Sequence, residues 1–259
     1  MSDSVQLFSV RSDHYAQFRP SYPERLFSWL AERSPRVDCA LDIAAGTGQA
    51  THPLLAHFSQ VIACDASLDQ LTASSNWQTA HRLAAGAEQL PLRDGVADLI
   101  VIAQALHWFA TPAFFAEAKR VLAPDGLLCA WCYSLIRIGE PLDGLIDHLH
   151  GETLSGYWPP GRASVDVGYT DIQAPFATLE PPPFLMEAYW DLPQLLGYLR
   201  TWSAVKRWQQ THSRDPLSEL EAEFRQHWRN PKQVRRVHWP LHFVIGYPGI
   251  QEQSCTTSC

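Results

Sequence analysis

The sequence predicts an α/β fold built on a doubly wound parallel sheet, and three observations support this prediction. From residue 23 to residue 133, short apolar segments alternate with segments whose apolar residues recur at helical spacing. The first apolar segment ends in a glycine turn. The helical segments between the apolar runs are long enough to connect parallel strands by right-handed crossovers, which place helices on both faces of the sheet.

The predicted elements follow one another closely as far as Tyr133. A helix over 23–34 starts at a proline suited to a first helical turn and carries Leu26, Phe27 and Leu30 at helical spacing. The other elements of this half are a strand at 37–45, a helix from the glycine turn to Phe58, a strand at 61–64, a helix at 67–77, strands at 81–87 and 96–104, a helix at 111–123, a turn at 124–126 and a strand at 127–133.

The alternation stops after Tyr133. Residues 135–183 contain one predicted helix, 143–154, followed by segments rich in proline and aromatic residues. An irregular segment of this length is typical of a binding loop or a lid. Beyond it, the pattern predicts a strand at 184–190, helices at 192–210 and 216–229, and a final strand at 234–246.

Composition and charge exclude several classes of function. The 259 residues are 46% hydrophobic and 18% charged, which is typical of a folded domain rather than a disordered chain. The formal net charge of −7 repels nucleic acids and anionic membranes, so we expect neither as a partner. No basic segment followed by an apolar one opens the chain, and no apolar run of 18 residues occurs, so we expect a cytoplasmic protein.

Two of the six cysteines, Cys129 and Cys132, form a C-x-x-C pair that could be a redox pair or half of a zinc site. The surrounding sequence, GLLCAWCY, is typical of a buried strand, in which residues three apart point to opposite faces. Such a pair cannot hold one atom between its sulfurs. We therefore expect buried, reduced thiols and no metal site, with Cys255 and Cys259 in a polar tail.

The glycine turn after the first strand is the main candidate for a ligand site. It runs from Asp42 to Gly48, at the end of a strand where open parallel sheets bind ligands. Asp65, at the end of the second strand, is suited to accept hydrogen bonds from a ribose diol. A dinucleotide fingerprint would need a third glycine where Thr51 stands, which disfavours a pyrophosphate. The pattern therefore predicts a nucleoside ligand, and a sulfonium cation would tolerate both carboxylates.

Several segments resemble the successive motifs of class I S-adenosylmethionine-dependent methyltransferases. They are LDIAAGTGQAT, VIACDAS, AGAEQLPLRDGVADLIVIAQALHWF and EAKRVLAPDGLL, which together cover about residues 38–130. The flanking segments HYAQFRPSYPERLFSWL, YLRTWSAVKRW and HWPLHFVIGYPG are similar to the trans-aconitate methyltransferases and related carboxylate-methylating enzymes. The resemblance implies one domain over 1–259 and a seven-stranded Rossmann-like sheet in the order 3-2-1-4-5-7-6 with the last strand antiparallel.

The resemblance also implies S-adenosylmethionine as the cofactor, S-adenosylhomocysteine as the product, and a set of cofactor-binding residues. Residues 1–34 would cover the cofactor, with Tyr15 and Arg19 closing the site and contacting the methionine carboxylate. The other implied contacts are Asp42, Gly46, Thr47 and Gly48 at the methionine portion, Asp65 and Ala66 at the ribose and the adenine face, Ala87 and Glu88 at the adenine edge, and Gln104 and Ala105 beneath the reactive methyl group.

The acceptor site is expected in the variable regions 135–183 and 191–230, as helical insertions that shape the pocket and form a lid. His107 could remove a proton from an acceptor. A carboxylate acceptor is already ionised near neutral pH and needs no base, which would leave His107 a positioning or structural role. The candidate substrate-binding residues are Trp108, Trp158 and Trp202 as pocket walls, and Arg162 and Arg200 as a carboxylate clamp.

These features predict methyl transfer to a small molecule, with a carboxylate oxygen as the favoured acceptor. A nicotinamide-dependent oxidoreductase is an alternative, opposed by the missing third glycine. A nucleic-acid methyltransferase is disfavoured because Gln104-Ala105-Leu106-His107 stands where base-modifying enzymes carry an Asn/Asp-Pro-Pro-aromatic motif, and because the chain is acidic. A cofactor-binding module without catalytic activity stays open as a third possibility.

Overall fold

The computed structural model describes residues 20–73 and 79–249, which form a seven-stranded sheet. The strands are β1 Cys39–Ile43, β2 Gln60–Asp65, β3 His81–Ala84, β4 Ala97–Ala103, β5 Leu122–Tyr133, β6 Leu185–Trp190 and β7 Arg235–Gly246. Their order across the sheet is 3-2-1-4-5-7-6. Strands β1 to β5 pair in parallel, whereas β7 runs antiparallel to both β5 and β6. The predicted Rossmann-like topology is confirmed.

Helices flank this sheet on both sides. They are α1 Glu24–Arg33, α2 Thr51–Leu54, α3 Leu68–Ala73, α4 Pro112–Val121, α5 Leu142–His148, α6 Arg162–Asp166, α7 Leu192–Arg200, α8 Ser203–His212 and α9 Glu221–Trp228. Shorter turns of 3-10 helix lie at Leu106–Trp108 and Pro216–Ser218, and a π-helical turn at Leu149–Thr153 continues α5.

The two faces of the sheet carry separate apolar layers. On β4, Leu99 and Val101 belong to one layer and Ile100 and Ile102 to the other, as expected for side chains that alternate along a strand. The first layer packs against α1, α2, α5, α7, α8 and α9, and the second against α4 and α6. Burial on both faces explains why the central strands β1, β4 and β5 are mostly apolar, as the doubly wound prediction requires.

The single helix predicted over 192–210 is wrong, because α7 ends at Arg200 and α8 begins only at Ser203. Between them Trp202 takes an extended backbone, with φ −59° and ψ 135°. Its ring packs against Trp158, with 5.4 Å between the ring centroids. This contact between distant segments outweighs the local helical pattern. The helix predicted over 216–229 is divided in a similar way, into the turn Pro216–Ser218 and α9.

Two features of the central region also differ from the prediction. The turn expected at 124–126 lies inside β5, where it shifts the register of β5 against β4. Before the shift Leu122 pairs with Ala97, and after it Leu127 pairs with Leu99. Helix α6 was not predicted, since a helix of five residues is too short to show a helical period.

The C-x-x-C pair is confirmed as two structural thiols. Cys129 belongs to one apolar layer and Cys132 to the other, so the two side chains point to opposite faces of the sheet. Both are free and buried, as are Cys39 and Cys64. Burial raises the pKa of the Cys132 thiol to about 12, which keeps it protonated and unreactive. The other two cysteines, Cys255 and Cys259, lie outside the described residues.

Neither a membrane-crossing helix nor a metal cluster occurs in residues 20–73 and 79–249. None of the helices there combines the length and the apolar character that a bilayer crossing requires. In the same residues, no group of three or more His, Cys, Asp or Glu side chains is arranged to hold a metal ion.

Candidate active site

The carboxyl ends of β1, β2 and β3 are tied together by hydrogen bonds to one another. The Gly46 amide donates to Oδ2 of Asp65 at 2.8 Å, and the Ala45 amide donates to the Cys64 carbonyl at 3.0 Å. After β3, the Ala85 amide donates to the Asp65 carbonyl at 3.1 Å. The glycine turn therefore rests directly against the end of β2, as predicted for a ligand crevice.

The Asp65 carboxylate is oriented by backbone donors on both of its oxygens. Oδ2 accepts from Gly46, and Oδ1 accepts from the Ser67 amide at 2.8 Å. An ionised carboxylate has about four acceptor positions, so two hydrogen bonds leave it able to accept two more. Asp65 is half-buried, and its remaining acceptor positions suit the two hydroxyls of a ribose.

The chain turns sharply where β1 and β4 end. Ala44 directly follows β1 with φ +57°, and Gln104 directly follows β4 with φ +60°. Each non-glycine residue in this left-handed region costs about 1–2 kcal/mol, and such strain concentrates at functional sites. Gly46 has φ +56°, and an added Cβ there would meet no atom within 4 Å. A ligand can therefore approach the backbone closely at this glycine.

Asp42 is fully buried in the first apolar layer, and only one of its oxygens is paired. Oδ2 accepts from the Thr51 hydroxyl at 2.5 Å, while Oδ1 has no partner among the described residues. Burial raises the pKa of this carboxyl to about 7, although the hydrogen bond from Thr51 opposes the rise. Thr51, which stands where a dinucleotide site has a glycine, thus supports Asp42 instead.

The other predicted cofactor residues lie along the same edge of the sheet. The loops after β1 and β2 contain Thr47, Gly48 and Ala66. Ala87 and Glu88 follow β3, and Ala105 follows Gln104 after β4. Glu88 accepts a hydrogen bond from Thr111, the residue that caps α4. Tyr15, with Arg19, lies outside the described residues. The described part of the N-terminal segment begins at Pro20, whose carbonyl accepts from the Gln49 side chain at 2.8 Å.

His107 lies in the 3-10 turn that follows β4. Its Nδ1 is 3.0 Å from the hydroxyl of Tyr169. Burial, and then the positive charge of Arg162, lowers the pKa of His107 to about 4. The imidazole is therefore neutral near pH 7 and is a weak base. Tyr169 was not predicted as a site residue, because it lies in an irregular segment that carries no periodic signal.

Helix α6 begins directly against this turn. Gly161, at its N-terminus, has φ +84°, and an added Cβ would lie 2.9 Å from Cδ2 of His107 and 3.7 Å from Cζ3 of Trp108. Only glycine fits here, and it brings Arg162 close to His107. The Nε of Arg162 donates to Asp166 at 2.7 Å, and its guanidinium lies 4.7 Å from the ring centroid of Trp158.

An aromatic cluster joins the two variable regions at this point. Trp158 contacts Trp202 at 5.4 Å between centroids, and the ring of His150 lies 4.6 Å from Trp158 and 6.1 Å from Trp202. The indole N–H of Trp158 donates to the His150 carbonyl at 3.0 Å. Four of the five predicted substrate residues are therefore linked by contacts, which run from Trp108 beside His107 through Arg162 and Trp158 to Trp202. His150 was missed, because a single histidine within a helical segment gives no distinguishing signal.

Arg200 is the exception among the predicted substrate residues. Its Nε donates to Asp215 at 2.8 Å, and its Nη2 donates to Glu221 at 2.9 Å. The guanidinium thus binds two of the chain's own carboxylates and joins α7 to the segments that follow α8. We therefore assign Arg200 a structural role and remove it from the candidate acceptor-binding residues.

Known proteins share both this fold and these motifs. Residues 41–130 match the model of a methyltransferase domain family. A solved structure from Anaeromyxobacter dehalogenans, provisionally named a type II methyltransferase, has 37% sequence identity and a TM-score of 0.84; the match covers 89% of this chain and 98% of that one. A protein of Dictyostelium discoideum, provisionally named a methyltransferase, is 29% identical over 245 residues, which are 92% of this chain and 93% of that protein.

A further relative matches only part of the chain. The malonyl-[acyl-carrier protein] O-methyltransferase of Geobacter sulfurreducens is 38% identical over 122 residues, which are 44% of this chain and 46% of that protein. With the family match and the Anaeromyxobacter structure, these similarities show that the chain belongs to the class I S-adenosylmethionine-dependent methyltransferases. It is an enzyme that uses S-adenosylmethionine as its cofactor.

The residues at the strand ends fit this cofactor. Asp65 offers paired acceptors for a ribose diol, and Gly46 leaves open space beside its α-carbon. The unpaired Oδ1 of Asp42 is a buried acceptor that suits an ammonium group. When bound, the cofactor supplies an electrophilic methyl group on a sulfonium. The chain's own contribution is to hold the acceptor in line with that methyl group and to exclude water.

Proposed function

We propose that this methyltransferase esterifies a small-molecule carboxylic acid at the cluster formed by His107, Trp108, Trp158, Arg162 and Trp202. The observation that carries the proposal is the position of Arg162, whose charge lies near a neutral His107 and over the face of Trp158. A guanidinium next to a histidine that is not a base suits an acceptor that is already an anion.

Arg162 retains hydrogen-bonding capacity for such an anion. A guanidinium has five N–H donors, and only Nε of Arg162 is bonded to a partner among the described residues. Asp166 fixes the plane of the guanidinium but is itself partly exposed. A carboxylate of the acceptor would bind to the terminal nitrogens, in the parallel geometry that arginine favours.

The neutral state of His107 supports a carboxylate over an alcohol or an amine. An alcohol needs a general base to release its proton, and a histidine with a pKa near 4 is a poor base at pH 7. A carboxylate needs none. His107 is then a positioning residue that is held by the hydroxyl of Tyr169.

The aromatic walls favour a reaction in which charges cancel. A sulfonium and a carboxylate combine to give two neutral products, so exclusion of water from the site lowers the barrier. Trp158, Trp202 and the ring of His150 supply apolar surface beside Arg162. The free, buried state of the four described cysteines also supports our expectation of a reducing, cytoplasmic location.

The Geobacter relative agrees with this chemistry. Its name describes O-methylation of a malonyl group, which ends in a carboxylate. The match covers only 44% of the present chain, so it supports the type of reaction rather than the identity of the acid.

The proposal is tested by incubating the enzyme with methyl-labelled S-adenosylmethionine and a panel of small carboxylic acids. The primary amide of each acid is the matched control. We expect label to transfer to acids and not to amides, and mild base to release it from the product as methanol. Transfer to the amides as readily as to the acids, or a labelled product that is stable to mild base, would contradict the proposal.

Two arginine variants separate acceptor binding from structural effects. We expect Arg162→Met to raise the KM for the acid by about tenfold or more, since it removes a charged hydrogen-bond partner, while the affinity for S-adenosylhomocysteine is unchanged. Arg200→Met is the matched control, which lowers stability but not acceptor affinity. Equal changes in KM for the two variants would refute the role of Arg162.

A further inference from the structure

Two buried polar atoms on one face of the sheet lack partners among the described residues, and they are complementary to each other. One is the acceptor Oδ1 of Asp42 on β1, and the other is the donor Nε1–H of Trp131 on β5. Trp131 is fully buried. An unpaired buried group of this kind is destabilising, and folded proteins pair most such groups with protein atoms, water or a bound ligand.

The two atoms are not hydrogen-bonded to each other. Asp42 is paired in register with Val101 of β4, and Trp131 is paired with Ala103 of β4, so β4 runs between them. Two strand spacings separate β1 from β5, a distance of about 10 Å. A ligand placed across the end of β4 could therefore pair with both atoms, which are not paired with each other.

Trp131 lies at the edge where the cofactor binds. Its carbonyl accepts from the Gln104 amide at 2.8 Å, at the sharp turn after β4. Its ring is enclosed edge-on by Tyr22, at 5.2 Å, and by Phe27, at 6.2 Å between centroids. Tyr22 belongs to the N-terminal segment that is expected to cover the cofactor.

We propose that the indole N–H of Trp131 binds the carboxylate of the cofactor's amino-acid portion. That portion carries an ammonium and a carboxylate a few bonds apart, and Asp42 and Trp131 offer an acceptor and a donor to match them. The inference concerns the cofactor alone and does not depend on which acceptor is methylated.

The test compares two ligands that differ in the amino-acid portion. S-adenosylhomocysteine carries that portion, whereas 5′-methylthioadenosine lacks it. We expect Trp131→Phe to weaken the binding of S-adenosylhomocysteine by about tenfold or more in calorimetric titration, since it removes a hydrogen bond to a charged group. The affinity for 5′-methylthioadenosine should stay within about twofold. Equal loss for both ligands, or no loss for either, would overturn the inference.

Trp228→Phe is the matched control. Trp228 is also fully buried, but its Nε1 donates to the Gln233 carbonyl at 2.9 Å, so this variant removes an internal hydrogen bond instead. We expect it to bind both ligands with unchanged affinity.

If Trp131→Phe does not fold, the wild-type chain supplies the readout. The indole N–H resonances of its tryptophans can be followed by NMR as each ligand is added. We expect one buried indole resonance to move downfield with S-adenosylhomocysteine and not with 5′-methylthioadenosine. Its assignment to Trp131 comes from selective labelling. A Trp131 resonance that responds equally to both ligands, or to neither, would contradict the proposal.

Discussion

At the scale of single residues, polar groups in this chain fall into those that hold the fold and those left available to ligands. Two nitrogens of Arg200 and the indole nitrogen of Trp228 donate to partners within the chain. Asp42 and Trp131 are buried with an atom unpaired, and Arg162 has only one of its nitrogens bonded. Asp42 and Trp131 lie near the carboxyl ends of β1 and β5, the edge at which open parallel sheets bind ligands, and Arg162 lies in α6.

His107 provides a residue-scale prediction about pH. Its pKa is about 4 in the folded chain, below the ordinary value of 6.5, so protonation favours the unfolded state. The stability that depends on neutral His107 is fully present above pH 6.5 and is lost as the pH falls toward 4. We expect His107→Gln to remove this dependence, which amounts to about 2–3 kcal/mol at pH 4.

Urea denaturation of the wild-type chain and of His107→Gln, at several pH values between 4 and 8, measures how the free energy of unfolding of each depends on pH. A wild-type profile that runs parallel to that of His107→Gln over this range would show that His107 titrates normally, and would remove the argument against it as a general base.

At the scale of elements, the start of β1 is fixed by one buried carboxylate on β4. Oδ2 of Asp98 accepts from the backbone amides of Asp38 and Cys39, at 3.0 and 3.1 Å, and Oδ1 accepts from Arg36 at 2.8 Å. Asp98 is 1% exposed, so its loss would leave the buried Cys39 amide and the partly buried Asp38 amide without this acceptor.

We therefore expect Asp98→Ala to lower the free energy of unfolding by about 2–4 kcal/mol, and Asp98→Asn, which keeps one acceptor oxygen, to lower it by less. Denaturant titration with S-adenosylhomocysteine absent checks both values. A loss below about 1 kcal/mol for Asp98→Ala would mean that the amides find other partners.

The elements also show how far sequence reasoning reaches. The strands, the glycine turn and Asp65 were predictable, because buried strands and their polar ends give strong local signals. The break between α7 and α8 was not, because the contact of Trp202 with Trp158 joins segments that are far apart in the chain. The hydrogen bonds of Arg200 to Asp215 and Glu221 were not predictable either, because they also join separate segments of the chain. The unpaired N–H of Trp131 was also beyond prediction, since only the surrounding residues reveal that a buried donor lacks an acceptor.

At the scale of the whole molecule, the proposed cofactor residues and the proposed acceptor cluster lie at one edge of the sheet. The glycine turn and Asp65 lie on β1 and β2, whereas His107 and the aromatic cluster lie beyond β4. The variable regions 135–183 and 191–230 meet at this edge through Trp158 and Trp202, which supports the proposal that they shape the acceptor pocket.

Cofactor binding should therefore stabilise the entire fold. A ligand at 100 times its Kd adds about 2.7 kcal/mol, which for a domain of this size raises Tm by about 5–10 °C. We expect S-adenosylhomocysteine to produce this shift in a calorimetric melt of the wild-type chain. Asp65→Ala at the same ligand concentration should show almost none, because it removes the acceptor for the ribose. An equal shift in Asp65→Ala would place the nucleoside elsewhere.

The most direct test of the account is a crystal structure of the chain with S-adenosylhomocysteine. We expect both ribose hydroxyls within hydrogen-bonding distance of the Asp65 carboxylate, and the sulfur facing the cluster of His107, Trp108 and Arg162. A nucleoside bound away from Asp65, or a sulfur directed away from that cluster, would contradict the account.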